Sequence, residues 1–313
     1  MNPYLAVIDI GSNSARLVIY QQINSQEFHL IVEHKSPVRI GEGAYLKNGY
    51  LQPLAKERAY LALKDFTNII QKYPISKTLC IATSALRDAP NKLEFIQWIK
   101  KELNLEIIVI DGKEEAKLGA IAALYLLPIV NGITIDIGGG SSDIAIIKNS
   151  VIVDTYSLNL GTVRLKELFS TQKQSIEKSK QYIKLKLKLL PTHFKANTAV
   201  SIGGTTRTLS KAIMKLQNNN TQEVHSFNYK IEDYQEFFEK ILISNEDQLG
   251  KLKIPKSRLD TIKEGTLIWQ SILEKIEANE VISSSVGVRE GLFLQDINFM
   301  ESNQSMKFKK PNN

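Results

Sequence analysis

Apolar and polar positions change period several times along the chain, and these changes predict a mixed α/β protein. The first apolar run, AVIDIGSNSARLVI at 6–19, reads as a strand that ends on Asp9, a short polar turn, and a second strand that begins near Arg16. HLIVEHKSPVRIGEG follows as a further strand pair that closes in a Gly-rich turn. Residues 54–72 then have apolar side chains at helical spacing, and KTLCIATSAL, NKLEFIQWIKKEL and LEIIVID read as a strand, a helix and a strand. Hairpins followed by alternating helices and strands predict a mixed sheet flanked by helices.

The strand–turn–strand pattern occurs twice. Residues 133–146 read ITIDIGGGSSDIAI, and they align with the first run when Asp9 is placed on Asp136. Strands are predicted again at 151–158 and 198–203, with mostly helical sequence from there to about residue 279. The second half of the chain therefore repeats the organisation of the first.

This repeat predicts two lobes of similar architecture. We expect an N-terminal lobe at 1–120 with the first polar turn and a C-terminal lobe at 121–300 with the second. The run NNN at 218–220 reads as a loop, and SNQSMKFKKPNN favours a flexible tail at 301–313.

Composition is that of an ordinary globular protein, with 43% hydrophobic and 23% charged residues in 313. The first residues lack the basic and apolar regions of a secretory signal. The longest apolar run, AIAALYLLPIV, is shorter than the roughly 20 residues of a membrane-spanning helix. The single cysteine, Cys80, excludes an intramolecular disulfide and reads as a buried small hydrophobe. We expect a cytoplasmic protein without a membrane partner.

Positive charge favours an anionic partner. The net charge is +7, and residues 166–195 contain eight lysines and two glutamates. Within this segment the Lys/Leu alternation of YIKLKLKLLP fits either a strand edge or a helix with lysines along one side. Those lysines are either a solvated surface or a collar that attracts polyanions. Specific nucleic-acid binding is not expected.

The repeated turns have the composition of phosphate-binding sites. A strand, a turn of small residues and a returning strand can direct several backbone N–H groups at one point, and glycines at 138–140 allow close approach. A third turn, Gly203-Gly204-Thr205, leads from a strand into a helix whose first N–H groups suit an anion. One such turn is equally typical of a plain hairpin. Three of them, two with an aligned aspartate, favour two lobes that grip one phosphate chain.

The two repeats differ at one position in a chemically useful way. Arg16 in the first repeat is replaced by Asp143 in the second. A guanidinium can hold a phosphate with its planar set of donors, whereas Asp143 with Asp136 can hold a hard divalent cation.

Seven ordered blocks, spread over nearly the whole chain, carry a family resemblance: IDIGSNSARL, TSALRDAPN, DGKEEAKLG, DIGGGSSD, SLNLGTVRL, SIGGTTRTL and SVGVREGL. The sequence resembles the exopolyphosphatase and guanosine pentaphosphate phosphohydrolase family, in its short two-domain form. That family belongs to the actin, sugar kinase and heat-shock ATPase superfamily. The resemblance implies two ribonuclease H-like lobes with mixed sheets and a phosphate-binding cleft between them. It also implies metal-dependent hydrolysis of terminal phosphates from inorganic polyphosphate or guanosine pentaphosphate.

The resemblance also assigns roles to residues. It implies that Glu115 is the catalytic base. An acid in the first turn of a helix can also act only by stabilising the helix N-terminus, and Glu114 is the candidate for that role. Asp136 and Asp143 match metal ligands for Mg²⁺ or another divalent cation; the family usually has Glu at the second position, which makes a water-bridged contact the alternative to a direct one. The expected phosphate-binding residues are Asp9, Ser12, Asn13, Ser14, Arg16, Arg87, Gly139, Gly140, Ser141, Ser142, Gly203, Gly204 and Thr205.

Several alternatives stay open at this point. Arg87 fits both a phosphate contact in the cleft and a structural ion pair. The competing functions are a phosphotransferase of the same superfamily, since GGTTRTL is where such relatives hold adenosine, and a catalytically silent nucleotide-binding module. Oligomeric state is not determined by the sequence, and a homodimer is compatible with it.

Overall fold

The first half of the chain forms a sheet of short buried strands with helices on both sides. The computed structural model describes residues 4–218, 223–297 and 307–309. The elements of this half, in chain order, are β1 Tyr4–Ile10, β2 Ala15–Asn24, β3 Glu27–Ser36, α1 Pro53–Ile70, β4 Ile75–Ala82, α2 Ser84–Asp88, α3 Lys92–Leu103, β5 Ile108–Val109 and α4 Gly112–Leu126.

The second half begins with a hairpin of the same kind and contains more helix. Its elements are β6 Gly132–Ile137, β7 Ser142–Lys148, β8 Val151–Leu158, α5 Thr162–Phe169, α6 Ser175–Leu187, β9 Thr198–Ile202, α7 Gly204–Leu216, β10 Asn228–Lys230, α8 Gln235–Ile243, α9 Glu246–Lys251, α10 Ile262–Ile276, β11 Glu280–Ser283, α11 Val288–Asp296 and β12 Lys307–Lys309.

The two sheets share one topology. The first contains the order β3-β2-β1-β4-β5 and the second the order β8-β7-β6-β9-β11. In both, three antiparallel strands are followed by strands parallel to the central one, as in ribonuclease H-like lobes. Each sheet has one further strand, β12 beside β3 and β10 beside β11. The predicted fold class, two such lobes with mixed sheets and flanking helices, is confirmed.

The hairpin registers support the repeat that was read from the sequence. Asp9 lies opposite Arg16 in the β1–β2 pair, and Asp136 lies opposite Asp143 in the β6–β7 pair. Opposite residues of an antiparallel pair project from the same face of the sheet. The exchange of Arg16 for Asp143 therefore places unlike charges at equivalent points of the two lobes.

The helices pack by their apolar stripes. In α1, Ala59, Leu63 and Phe66 repeat at helical spacing and are buried against the first sheet. In α6, Ile183 and Leu187 are buried in the second lobe. YIKLKLKLLP is therefore mainly helix, the second of the two interpretations left open.

One predicted element is wrong. HLIVEHKSPVRIGEG contains the strand β3 but no second strand, because the chain leaves β3 and makes a series of turns between residues 40 and 49. Arg39 and Gly43 have positive φ, which a strand does not accommodate. The N–H groups of Arg39 and Gly41 donate to the carbonyls of Asn13 and Ser12, so this segment supports the first polar turn.

Helix α4 lies where the two lobes meet, and the predicted boundary at residue 120 falls inside it. Helix α11 packs against α4 and against β1 of the first sheet. The backbones of the two helices touch, because a Cβ on Gly291 would overlap the carbonyl oxygen of Leu118. The first lobe is therefore completed by residues from the far end of the chain.

Part of the predicted tail has regular structure. Residues 307–309 form β12, in which Phe308 stacks on Phe28. The rest of 301–313, and most of the predicted loop at 218–220, lie outside the described residues. In the described part of the chain, no helix combines the length and apolar character needed to cross a membrane.

Candidate active site

A cavity between the two lobes, called here the interlobe cavity, brings most of the predicted site together. All three polar turns reach it. The first two follow the carboxyl ends of β1 and β6, each central in its sheet, and the third follows the carboxyl end of β9, which is parallel to β6. The predicted residues that line it are Asp9, Ser12, Asn13, Ser14, Arg16, Glu115, Asp136, Gly139, Gly203, Gly204 and Thr205.

The first turn is held tightly. The N–H of Gly11 donates to the carbonyl of Ser14 at 3.1 Å and closes the turn. The Ser12 hydroxyl lies 2.9 Å from that of Ser84 and accepts from the Tyr45 hydroxyl at 3.2 Å. Asn13 and Ser14 complete this wall of the interlobe cavity.

Glycines in the second turn allow contact between the lobes. A Cβ on Gly139 would come within 2.8 Å of the Ser12 Cβ, and one on Gly140 would overlap the Tyr45 hydroxyl. The carbonyls of Gly138 and Gly139 accept from the first N–H groups of α5. The sequence predicted close approach to phosphate at these glycines, and the structure shows in addition close approach of the opposite lobe.

Helix α5 fastens this contact. Glu167 accepts from the backbone N–H groups of Gly43 at 2.6 Å and Tyr45 at 3.2 Å. Arg164 pairs with Asp88 of the first lobe, and its guanidinium lies over the Tyr45 ring. These bonds cross between the lobes and fix the position of α5 against the first lobe.

Two predicted serines have other partners. Ser141 donates to Oδ2 of Asp143 at 2.8 Å, and Ser142 donates to the carbonyl of Leu160 at 2.6 Å. Asp143 also accepts from Ser157 at Oδ1. Burial raises the pKa of Asp143 to about 7, although the bonds from Ser157 and Ser141 lower it. Ser141, Ser142 and Asp143 do not line the interlobe cavity, and neither do Arg87 and Gly140.

The third turn is shaped around Asp136. Gly203 has a φ of 88°, and a Cβ there would overlap Oδ1 of Asp136. A Cβ on Gly204 would overlap the guanidinium of Arg258. Burial and then the charge of Asp9 raise the pKa of Asp136 to about 6. The two glycines thus leave room for a carboxylate and a guanidinium beside the N-terminus of α7.

Glu115 lies in the first turn of α4, where Asp111 caps the helix by accepting from the Glu114 N–H at 2.8 Å. The Glu115 side chain is buried and accepts from Nη1 of Arg87 at 2.9 Å. Burial, and then the nearby charge of Asp143, raise the pKa of Glu115 well above its usual value, while Arg87 opposes that rise. Of the two roles left open for Arg87, the structure shows the ion pair, and its partner is the predicted base.

Three arginines outside the list of expected phosphate-binding residues also line the interlobe cavity: Arg207, Arg258 and Arg289. Arg207 and Arg289 lie in the blocks SIGGTTRTL and SVGVREGL, so a search of the motifs for unassigned cations finds them. Arg258 ends a 3₁₀ turn, Lys256–Arg258, and no motif marks it.

The acidic residues fit a divalent cation in part. Among the described residues, no group of three or more His, Cys, Asp and Glu side chains is placed to hold a metal by itself. Mg²⁺ characteristically takes one or two carboxylates and completes its shell with water and substrate phosphates. Asp136 lines the interlobe cavity, and its pKa is raised by a second carboxylate, Asp9. Asp143, whose two oxygens accept from serines, does not line the cavity. This position favours a contact with the cation through a bridging water.

Comparison with known proteins identifies the architecture. Residues 18–299 match the model of the Ppx/GppA phosphatase family. The crystal structure of an Aquifex aeolicus Ppx/GppA family member superposes with a TM-score of 0.78 at 26% identity, over 97% of this chain and 100% of that one.

Two curated relatives differ in how much of them this chain spans. Exopolyphosphatase 2 of Mycobacterium tuberculosis is 26% identical over 291 residues, 87% of this chain and 90% of that protein. A bifunctional 3-dehydroquinate synthase/phosphatase of Fusobacterium nucleatum is 30% identical over 309 residues, 93% of this chain. The chain spans about half of that relative, 46% of its length.

Proposed function

Because this chain belongs to the Ppx/GppA phosphatase family and is a phosphoanhydride hydrolase, we propose that it removes the terminal phosphate of inorganic polyphosphate. Guanosine pentaphosphate is the second substrate that we propose. The reaction uses water and a divalent cation.

The placement of Glu115 supports this proposal most directly. A buried glutamate with a raised pKa lines a cavity whose other walls are polar turns and guanidinium groups. Such a carboxylate can take a proton from water, because its pKa is nearer to neutrality than that of an exposed acid. The same cavity offers cations to the phosphate oxygens.

In the reaction we propose, Glu115 orients the attacking water and accepts its proton. Arg87 holds the carboxylate in place through the 2.9 Å bond to its Nη1. Asp136 would hold the cation, and Asp143, which accepts from Ser141 and Ser157, would stand behind it. When bound, the cation neutralises charge on the transferring phosphate.

The guanidinium groups that line the interlobe cavity favour a phosphate chain as substrate. Arg39 and Arg164 do not line this cavity, and they pair with Asp260 and Asp88. The electrostatic attraction therefore comes from the four arginines that do line it, Arg16, Arg207, Arg258 and Arg289.

A phosphate-release assay tests the function. The full chain with Mg²⁺ and no acceptor should release orthophosphate from polyphosphate, whereas a phosphotransferase would need an acceptor and a silent module would release none. We expect kcat/KM for polyphosphate to exceed that for guanosine pentaphosphate and to fall as salt rises. A better rate for the guanosine compound at both low and high salt would instead indicate a base-recognition site.

A further inference from the structure

Three guanidinium groups meet in the wall of the interlobe cavity, although they come from distant parts of the chain. Arg16 lies on β2, Arg207 on α7 and Arg289 on α11, and all three line the cavity. None of the motifs explains why three cations should lie close together in a partly buried space.

Their charges are unequally compensated. Arg16 pairs with Glu33 at 2.6 Å, and Arg289 pairs with Asp9 at 3.2 Å. Arg207 donates from Nε to the carbonyl of Ser284 at 3.3 Å, and within the described part of the chain no carboxylate lies at salt-bridge distance from it. Arg207 is therefore the one member of this cluster without an ion-pair partner among the described residues, and the carboxylates of Glu290 and Asp136 act on it only at longer range.

The pKa shifts of Arg207 and Arg16 agree with the buried and crowded positions of their guanidinium groups. Burial, followed by the charges of Arg289 and Arg16, lowers the pKa of Arg207 to about 10. Burial and the charge of Arg289 lower the pKa of Arg16 as well. A buried cation is costly unless it is paired, so a cluster of this kind is completed by an anion.

Arg289 has a free donor and a fixed position. Its Nε is buried and has no hydrogen-bond partner among the described residues. The next residue, Glu290, is buried and accepts from the Tyr20 hydroxyl at 2.6 Å and from the Gly287 N–H at 2.7 Å. The bond from Tyr20 fastens the start of α11 to β2, and the bond from Gly287 caps the helix, so that Arg289 is held facing the cavity.

The carboxylates and the guanidinium groups divide the cavity into two parts. Glu115 interacts electrostatically with Asp143, Arg87 and Asp136. Arg207 interacts with Arg289 and Arg16 and with two carboxylates, Glu290 and Asp136. Asp136 is common to both groups. A phosphate chain that lies across Asp136 would therefore have its terminal phosphate on the Glu115 side and its retained phosphates on the arginine side.

We propose that Arg207 and Arg289, together with Arg16, bind the phosphate that adjoins the scissile bond on its retained side. Two planar guanidinium forks can each donate in a bidentate manner to its non-bridging oxygens. This site rests on the proposed function for the identity of its ligand. Tyr20 and Glu290 are positioning residues, which act through Arg289.

Binding of inorganic tripolyphosphate, measured by calorimetry on the full chain with Mg²⁺, tests the site. The measurement uses the Glu115→Gln background so that the ligand is not consumed. We expect Arg207→Met to weaken binding at least tenfold and Arg58→Met to leave it unchanged, because Arg58 pairs with Glu42 outside the cavity. Arg289→Lys, which keeps a charge beside Asp9, should also weaken binding, because lysine lacks the planar fork.

Melting temperatures measured without ligand show whether Arg207 serves to bind an anion or to stabilise the fold. Removal of an unpaired buried cation should leave the melting temperature of Arg207→Met equal to that of its parent or raise it. The proposal would be overturned if Arg207→Met bound tripolyphosphate within twofold of its parent, or if it had a lower melting temperature with unchanged affinity for tripolyphosphate. Failure of wild-type protein to release phosphate from polyphosphate, while tripolyphosphate binding still depends on Arg207, would instead overturn the proposed function and leave the anion site standing.

Discussion

Glu115→Gln is the change that tests the proposed mechanism most sharply. Glutamine has the shape of glutamate and keeps an oxygen that can accept from Arg87, whose Nη1 lies 2.9 Å from the carboxylate. It cannot accept a proton from water. The substitution therefore removes one chemical function from the interlobe cavity and leaves its shape almost unchanged.

The expected fall in turnover follows from the role of Glu115 as a general base. Loss of a general base lowers turnover by about 10²- to 10⁴-fold, which corresponds to roughly 2.7–5.4 kcal/mol of activation free energy. The effect on folding should be small. Glutamine fills the same volume, and its oxygen can still accept from Nη1 of Arg87, so the guanidinium keeps a hydrogen-bond partner. We expect a melting temperature within a few degrees of wild type.

Initial rates of orthophosphate release at saturating polyphosphate measure the effect, and Glu114→Gln is the matched control. Glu114 is adjacent, partly exposed and 3.7 Å from Lys117, so its substitution should change turnover less than twofold. A folded Glu115→Gln protein with turnover within threefold of wild type would remove Glu115 from the chemistry. Equal losses in the two variants would point to the N-terminus of α4 as a whole.

Three other predictions concern the metal, the phosphate and the packing of the lobes. Asp136→Asn should raise the Mg²⁺ concentration for half-maximal rate, since an amide is a poorer ligand for a hard cation; an unchanged titration would make Asp136 structural. Arg16→Ala should raise KM for polyphosphate more than it lowers the melting temperature, because the side chain lines the cavity; the reverse order would show that it mainly stabilises the fold. Gly291→Ala should destabilise the protein by about 1–3 kcal/mol, because a Cβ there overlaps the backbone of α4. Gly250→Ala, with nothing within 4 Å, should be neutral or stabilising in the same denaturant titration, and similar behaviour of the two would refute the close contact.

Local patterns were enough to predict the family and the fold class, and the comparisons confirm both. The predicted helix at 54–72 corresponds to α1, because its apolar stripe alone determines which side is buried. The aligned Asp9 and Asp136 were also predictable, since a repeat of strand, turn and strand fixes their register. These features depend on residues that are close in sequence.

The features that sequence reasoning missed depend on distant contacts. Gly140 reads as a phosphate-loop glycine, yet its neighbours are Tyr45 and Ser84 of the other lobe. The second strand expected after β3 is absent from the described residues because the segment bonds to the first turn instead of pairing with a neighbouring strand. The partners of Arg289 and Glu290, Asp9 and Tyr20, are about 270–280 residues away, a separation at which periodicity carries no information.

The return of α11 to the first sheet also has a consequence for biosynthesis. Tyr20 and Phe28 lie in strands that are complete at Ser36, but the ring that covers them, Phe293, belongs to a helix that begins at Val288. About 250 residues separate these points, so at roughly 5–20 residues per second a ribosome leaves this aromatic surface uncovered for about 13–50 s. The nascent chain would need a chaperone, or a temporary covering by its own residues, during that interval. Arg289 arrives with the same helix, so the proposed anion site is completed only after that interval.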